Sequence, residues 1–525
     1  MLQTNLRDPV SAGDVFSRQD DVSKTLRRVP SPPAPRQTLY TRPSAPDPLR
    51  ETLCVRPSAC THGAERSEKT TLTDRTDVVV LGLGPGGEEL AGRLAQAGLE
   101  VIGVDGGLVG GECPYWGCVP SKMMIRAADL LAEARRVDGM AGSATVTPDW
   151  APVATRIRDE ATDGWDDIVA VERLEHKGAR FVRGWGRLDG PRRVVVGDLE
   201  IEARKGIVIN TGSKPWSPPI PGLDTVPYWT NREAIETTSV PSSLVVIGGG
   251  SICVELAQVF ARFGAAVTII DAANRLVALE EPEASDLLAR VFEREGIRVV
   301  CGVKARSVSH EHGRFTLEID HRSGSVTAEE LLLAAGRWSD LSPIGVGSVG
   351  IDESAKAIPV DGRMRAAEGV WAIGDVTGKG AFTHMSMYQA AICGDDILGE
   401  PVTEADYKAV PRVTFTDPEI GSVGLTEALA RDSGLEVRVG ITEVPTSTRG
   451  WIHKAGNDGF IKLVEDSRRG VLVGATSAGP WGGEVLGLLS LAVHAEVPTE
   501  KLRHMIYAYP TFHRAIETAL SDLRH

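Results

Sequence analysis

The chain has 525 residues, with 57 Lys and Arg against 71 Asp and Glu, for a net charge of −14. Such acidity argues against nucleic acid or an anionic membrane as a partner, and no uncharged apolar run reaches the ~18 residues of a membrane span. Seven cysteines at this length make neither a disulfide scaffold nor a zinc-finger array.

Residues 1–73 hold 9 of the 31 prolines and a local charge of +3, so the rest of the chain is more acidic than the whole. The Pro-rich stretch 29–48 suits neither a helix nor a central strand. The segment 1–73 is predicted to be a disordered extension. It lacks the apolar core of a secretory signal, and its eight acids argue against a transit peptide. The expected location is cytoplasmic.

Order is predicted to begin with the apolar run 76–81, which reads as a buried strand. The string Gly82-Leu83-Gly84-Pro85-Gly86-Gly87 follows, then helical spacing over 88–99. A G-x-G-x-x-G turn in that setting bends tightly and lets a pyrophosphate approach the backbone at a helix N-terminus. The next apolar run, Val101-Ile102-Gly103-Val104-Asp105, ends in an acid suited to a ribose hydroxyl. Gly82, Gly84, Gly87 and Asp105 are therefore expected to bind a dinucleotide.

A second unit repeats the plan. Leu244-Val245-Val246-Ile247 leads into Gly248-Gly249-Gly250-Ser251-Ile252-Cys253, with a small Cys at the third glycine position. Asp271 lies 23 residues after Gly248, as Asp105 lies 23 after Gly82. The equal spacing reads as a duplicated nucleotide-binding unit, with Gly248, Gly250 and Asp271 in its second copy. An acid at Asp271 favours NADH over NADPH, and Arg275 is the nearby cation suited to a 2′-phosphate. Strand-like runs at 412–415, 460–465 and 471–475, followed by amphipathic helix patterns, suggest a third, α+β region.

Between the two units lies Gly110-Gly111-Glu112-Cys113-Pro114-Tyr115-Trp116-Gly117-Cys118-Val119-Pro120-Ser121-Lys122. Cysteines at i and i+5 of an ideal helix are too far apart to join. A disulfide here requires Cys113 at a helix entry or on an irregular turn; two unrelated core cysteines are the alternative. A helix N-terminus would also lower a thiolate pKa. No second Cys or His pair has zinc-ligand spacing, and no metal site is expected.

This string resembles the redox disulfide of the class I pyridine nucleotide-disulfide oxidoreductases, such as dihydrolipoyl dehydrogenase and glutathione, mycothione and mercuric reductases. Further strings fall in the family order: Thr211-Gly212-Ser213-Lys214-Pro215, Ala335-Gly336-Arg337, Trp371-Ala372-Ile373-Gly374-Asp375-Val376 and Pro418-Glu419-Ile420-Gly421-Ser422-Val423-Gly424-Leu425-Thr426. The resemblance implies an α/β fold with two Rossmann-like domains, for FAD and NAD, and a C-terminal α+β dimerisation domain. The FAD domain would span 74–219 and 337–407, the NAD domain 220–336 and the dimerisation domain 408–525. It implies a homodimer that passes hydride from NADH through flavin to a Cys113–Cys118 disulfide and on to a disulfide acceptor. Cys118 would be the sulfur nearer the flavin and Cys113 the interchange thiol. Lys122 and Glu255 match the family's ion pair beside the flavin. Gly186, Thr211, Gly212, Ser213, Gly336, Asp375 and His384 are further cofactor-binding candidates.

The C-terminal motif departs from the family. His-Pro-Thr, with a Glu five residues after the His, usually supplies an acid/base pair from the partner subunit. Here Tyr509 stands at the His position and Arg514 at the Glu position. Tyr509 is one candidate replacement. His513, paired with Glu517 at i and i+4, is the other, against the alternative of a surface ion pair. Tyr115 and Trp116 are bulky and are expected to narrow access for a small disulfide. A lost base slows disulfide exchange by roughly 10²–10⁴ but matters less for a quinone reduced by flavin directly. A quinone reductase or diaphorase is thus the alternative enzyme, and a redox-sensing flavoprotein the non-catalytic one. Cys301 and Cys393 read as core residues, and Cys54 and Cys60 as incidental.

Overall fold

The computed structural model describes residues 72–320 and 324–523. Along the first part run β1 (Leu72–Leu81), α1 (Pro85–Gln96), β2 (Val101–Asp105), α2 (Cys118–Arg135), β3 (Arg180–Arg183) and β4 (Leu199–Ile209). Val78, Val79 and Val80 of β1 are fully buried. A strand covered on both faces needs parallel neighbours and helices above and below. It has both: the sheet order is Arg365–Ala367, Val370–Ala372, β4, β1, β2, β3, parallel except at the first edge. Leu90 and Leu94 of α1 cover one face, and Ile207, Ile209 and Ile358 line the other. The strands Leu72–Leu81, Val101–Asp105, Leu199–Ile209 and Val370–Ala372 end on one edge, where ligands of open α/β sheets bind.

The first helix starts at Pro85 rather than 88, because a proline's fixed φ suits the first helical position and its missing N–H costs nothing there. Leu72 and Thr73 already pair with Leu199 and Glu200. The remainder of the predicted disordered extension, with Cys54 and Cys60, lies outside the described residues.

The second sheet contains β5 (Ser243–Ile247), α3 (Ser251–Arg262), β6 (Ala266–Asp271), α4 (Pro282–Arg294), β7 (Arg298–Cys301) and β8 (Glu330–Leu333). Its four strands are parallel in the order β7, β6, β5, β8. The chain then returns to the first sheet, which α5 (Thr383–Leu398) covers. A third, antiparallel sheet ends the fold: β9 (Pro411–Thr414), β10 (Glu419–Gly424), β11 (Val437–Glu443), β12 (Phe460–Asp466) and β13 (Val471–Gly479), ordered β9, β10, β13, β12, β11. Among the described residues no helix is long and apolar enough to cross a membrane.

One core joins the parts around the redox string. Met124, Ile125 and Ala128 of α2 pack with Val254 and Ala257 of α3, and Ile420 and Phe460 of the third sheet complete the cluster. Beside it, Lys462 of β12 is 3% exposed and bonds Glu281 at 3.0 Å, Glu283 at 2.8 Å and Glu427 at 3.0 Å. Burial opposes its charge, but these three carboxylates hold its pKa above the ordinary lysine value. Arg412 makes a bidentate pair with Glu280 nearby. The segment ahead of α4 is thus fastened to the third sheet. Replacing Lys462 by Met leaves Glu281 buried without a counter-charge, at a cost of about 3–5 kcal/mol. Thermal unfolding is expected at a clearly lower temperature, with partial recovery when Glu281→Gln is added.

Candidate active site

Gly82 turns the chain from β1 toward α1 with φ +88°, and a Cβ there would lie 2.3 Å from the Asn210 carbonyl oxygen. Only glycine passes under that neighbour. A Cβ on Gly87 would lie 2.1 Å from the Gly82 oxygen, so the third glycine is required by close packing. Gly84 caps α1 with no side-chain bond, leaving first-turn N–H groups for an anion. Asp105 accepts from Leu83 N at 2.6 Å and Gly107 N at 2.7 Å. Burial raises its pKa against those bonds.

On the same edge, the Ser213 hydroxyl donates to Asp375 at 2.6 Å, and Arg337 donates to the Ser213 hydroxyl at 2.9 Å and to its carbonyl at 2.6 Å. The Gly212 carbonyl accepts from Ser339, and Thr211 is exposed at the head of this loop. Gly186 faces Leu81, Val104 and Val194, so sheet packing accounts for its missing side chain. His384 is exposed, stacks on Phe382 and donates from Nε2 to the Pro411 carbonyl at 3.0 Å.

The second unit repeats the first. Gly248 has φ +122°, and a Cβ would lie 2.2 Å from the Ala334 oxygen. Gly250 caps α3 without a side-chain bond, and Gly336 turns with φ +121° after β8. Cys253, at the third glycine position, is buried and directs its thiol to the Gly248 carbonyl at 2.9 Å. Asp271 ends β6, and burial raises its pKa. Arg275 is turned away from a phosphate role: it donates to Ser285, the Ala278 carbonyl and the Glu280 carbonyl. Cys301 is half-buried opposite Asp271 in register, and Cys393 is fully buried.

Cys113 sits on a short helical turn, Glu112–Tyr115, and Cys118 is the first residue of α2. The irregular entry that a disulfide at this spacing requires is present, and both sulfurs are free thiols in this structure. A hydrogen bond from Cys113, and next one from Thr383, hold the Cys118 pKa down to about 5; Lys122 adds a favourable charge and burial opposes. Cys113 is pushed up, first by that shared bond and then by burial. Lys122 reaches Glu255 at 2.8 Å, with side chains 34% and 6% exposed. The other Glu255 oxygen accepts from Phe415 N at 2.8 Å, and the Lys122 ammonium lies 4.6 Å from the Phe415 ring centre.

Residues 76–391 match the family model described as pyridine nucleotide-disulphide oxidoreductase, and 410–520 match the dimerisation domain of the same family. The chain belongs to this oxidoreductase family. Among curated relatives, a dihydrolipoyl dehydrogenase of Chlorobaculum tepidum is 33% identical over 86% of this chain and 98% of its own length. A mercuric reductase of Shewanella putrefaciens is 31% identical over 85% of this chain and 81% of its own. Among solved structures, the HOCl-induced flavoprotein disulfide reductase RclA from Escherichia coli aligns with a TM-score of 0.74 and 27% identity, over 85% of this chain and 99% of that one. As a family member the chain is a flavin-dependent enzyme, and its dimerisation domain supports a homodimer. The free N-terminus of α1 and the glycine cradle fit the FAD pyrophosphate, and the bonded pair Asp375 and Ser213 lies on the same edge.

The local pair read at His513 and Glu517 is not formed. Glu517 pairs with Arg514 at 3.1 Å rather than with His513, because the permanently charged guanidinium also reaches it from i−3. Tyr509 is 66% exposed, with the Arg514 guanidinium 5.5 Å from its ring centre. Nor does the bulk between the cysteines face outward. Tyr115 is 5% exposed, and Trp116 packs under Arg232 and donates to Glu236 at 2.6 Å. Thr383, 3.6 Å from the Cys118 sulfur, and Arg337, bonded to Ser213, are residues that motif reading passed over. Arg337 lay inside a quoted string, while Thr383 carried no signal beyond its place beside His384.

Enlarging Gly87 tests the cradle. Gly87→Val is expected to cost about 1–3 kcal/mol through overpacking and to leave purified protein largely flavin-free, read from the visible-to-ultraviolet absorbance ratio.

Proposed function

We propose that this oxidoreductase takes hydride from NADH and delivers two electrons to a small disulfide acceptor through Cys113 and Cys118, as the dihydrolipoyl dehydrogenase relatives suggest by their names. The observation that carries this reading is the placement of the pair: Cys113 on the turn Glu112–Tyr115 and Cys118 at the head of α2, one turn from the Lys122–Glu255 ion pair. Bound FAD supplies the two-electron carrier between nicotinamide and sulfur. Lys122 and Glu255 fix the charge beside it, Asp375, Ser213 and Thr211 hold its polyol side, and Gly82, Gly84 and Gly87 admit its pyrophosphate. The domain boundaries read from the sequence, with FAD over 74–219 and 337–407, NAD over 220–336 and dimerisation over 408–525, belong to the same proposal.

NADH is the favoured donor. Asp271 presents a carboxylate where a 2′-phosphate would bring negative charge, and the one suited cation, Arg275, is spent on Ser285 and two carbonyls. Asp271→Ala is expected to raise KM for NADH by about tenfold while leaving that for NADPH unchanged or lower. Equal KM changes for both nucleotides would refute the assignment.

A second reading has its own observation. Cys113 must lose its proton to attack a disulfide, yet Glu517 is occupied by Arg514 and Tyr509 stands where the family places its base. A quinone needs no such step. Steady-state rates with lipoamide, oxidised low-molecular-weight thiols and quinones separate the two. Cys113→Ser should lower disulfide turnover by about 10³-fold or more and leave quinone turnover intact. Disulfide turnover unaffected by Cys113→Ser would sink the relay.

A further inference from the structure

Trp185 is the most exposed of the ten tryptophans, at 81%, and it stands at the ligand-bearing edge of the first sheet. There β2 and β3 finish side by side, with Asp105 opposite Arg183 in register. Two bonds fasten the turns beyond them. The Gly184 N–H donates to the Asp105 carbonyl at 2.9 Å, and the Arg183 guanidinium donates to the Gly107 carbonyl. Gly186 faces inward, against Leu81 and Val104, so alternation along the chain turns Trp185 outward. The indole lies over Gly106. A Cβ on Gly106 would fall against Cδ2, Cε2 and Cε3 of the ring, and the first two are the fusion atoms inside the indole outline. The contact is therefore with the face of the ring, and any larger residue at position 106 would push the indole away. The opposite face is open, and among the described residues no other ring or cation stacks on it.

A lone exposed indole needs no explanation. Here a second position carries no side chain where the ring lies flat, and the flat ring borders a nucleotide-binding turn. Asp105 accepts from Leu83 N and Gly107 N, which sets its carboxylate between the glycine turn ahead of α1 and the Gly106–Gly107 step. Each of its oxygens keeps acceptor capacity for a ribose hydroxyl. A dinucleotide with its pyrophosphate at the α1 N-terminus brings its ribose to the acid that ends the second strand, and its base one step beyond. That step is the platform of Gly106 and Trp185. We propose that Trp185 stacks its open face on the adenine ring of FAD and so holds the AMP half of the cofactor. The inference needs bound FAD but neither the NADH preference nor the disulfide relay, so its failure would leave both of those readings standing.

The test reads cofactor binding rather than turnover. The full-length enzyme is stripped of flavin and titrated with FAD. Trp185→Leu keeps apolar bulk without a π-face and is expected to raise the Kd for FAD about tenfold, whereas Trp185→Phe should stay within about threefold of the native value. A Kd unmoved by Trp185→Leu overturns the proposal. So does an equal rise in both variants, which would mark a packing role for the indole's bulk. The flavin-free leucine variant should melt at the temperature of the flavin-free native enzyme, and a clearly lower value would mark a structural role and overturn the proposal too. Should stripping precipitate the enzyme, the release of FAD from diluted holoenzyme, followed as the rise in free-flavin fluorescence, takes the place of the titration. Release should be about tenfold faster for Trp185→Leu and near native for Trp185→Phe, and equal rates for all three proteins would refute the stack.

Discussion

The architecture of the site depends on the ion pair between Lys122 and Glu255. Glu255 is almost wholly buried, and a carboxylate in that position costs several kcal/mol unless its oxygens are met. Both are: Lys122 of α2 takes one, and the Phe415 N–H just past β9 takes the other. Three separate stretches of chain must therefore arrive together before the charge is tolerable. The flavin-side helix, the nicotinamide-side helix and the third sheet are tied at one carboxylate, one turn along α2 from Cys118. Local chemistry and domain packing are the same constraint here.

The seam between α2 and α3 carries a second anchor at its far end. Arg262 is buried and bonds Asp129 of α2 at 2.7 Å, Glu295 at 2.7 Å and Asp417 at 2.7 Å. Between the two anchors, Met124 and Ala128 interdigitate with Val254 and Ala257. Apolar packing resists separation of the helices, and charge pairs placed at both ends resist sliding and rotation. A redox sulfur at the first residue of α2 inherits that fixed position.

Much of this was legible from residues alone because glycine leaves a mark where backbone passes backbone. Gly82 and Gly248 lie in matching turns for one reason, a neighbouring carbonyl little more than 2 Å from where a Cβ would be. The cysteine spacing likewise demanded an irregular helix entry, and the turn at Glu112–Tyr115 supplies it. What escaped reading was long-range or directional. Thr383 is 265 residues from Cys118 in sequence, and a threonine at a helix start is too common to single out. His513 and Glu517 obeyed the i,i+4 rule, but Arg514 competed from i,i+3 and won. The bulk of Tyr115 and Trp116 was visible in sequence, whereas its direction, into the fold and under Arg232, was decided by neighbours far along the chain.

The division of labour between the two sulfurs follows from where positive charge is available. Cys118 has a long helix beneath it, Lys122 one turn on and a hydroxyl beside it. Cys113 sits on a four-residue turn, whose few aligned peptides supply little dipole, and the bond shared with Cys118, then burial, push its pKa up. The first ionisation of the pair is thus provided for by the fold itself. At the C-terminal motif, Arg514 takes the Glu517 carboxylate that i,i+4 spacing offered to His513. The α2 and α5 N-termini lie beside the Cys118 sulfur, whereas Tyr509 and Arg514 stand where the family usually carries its acid/base pair. On the relay reading proposed above, a change confined to that C-terminal segment alters exchange with the acceptor while leaving the nucleotide-binding frame untouched.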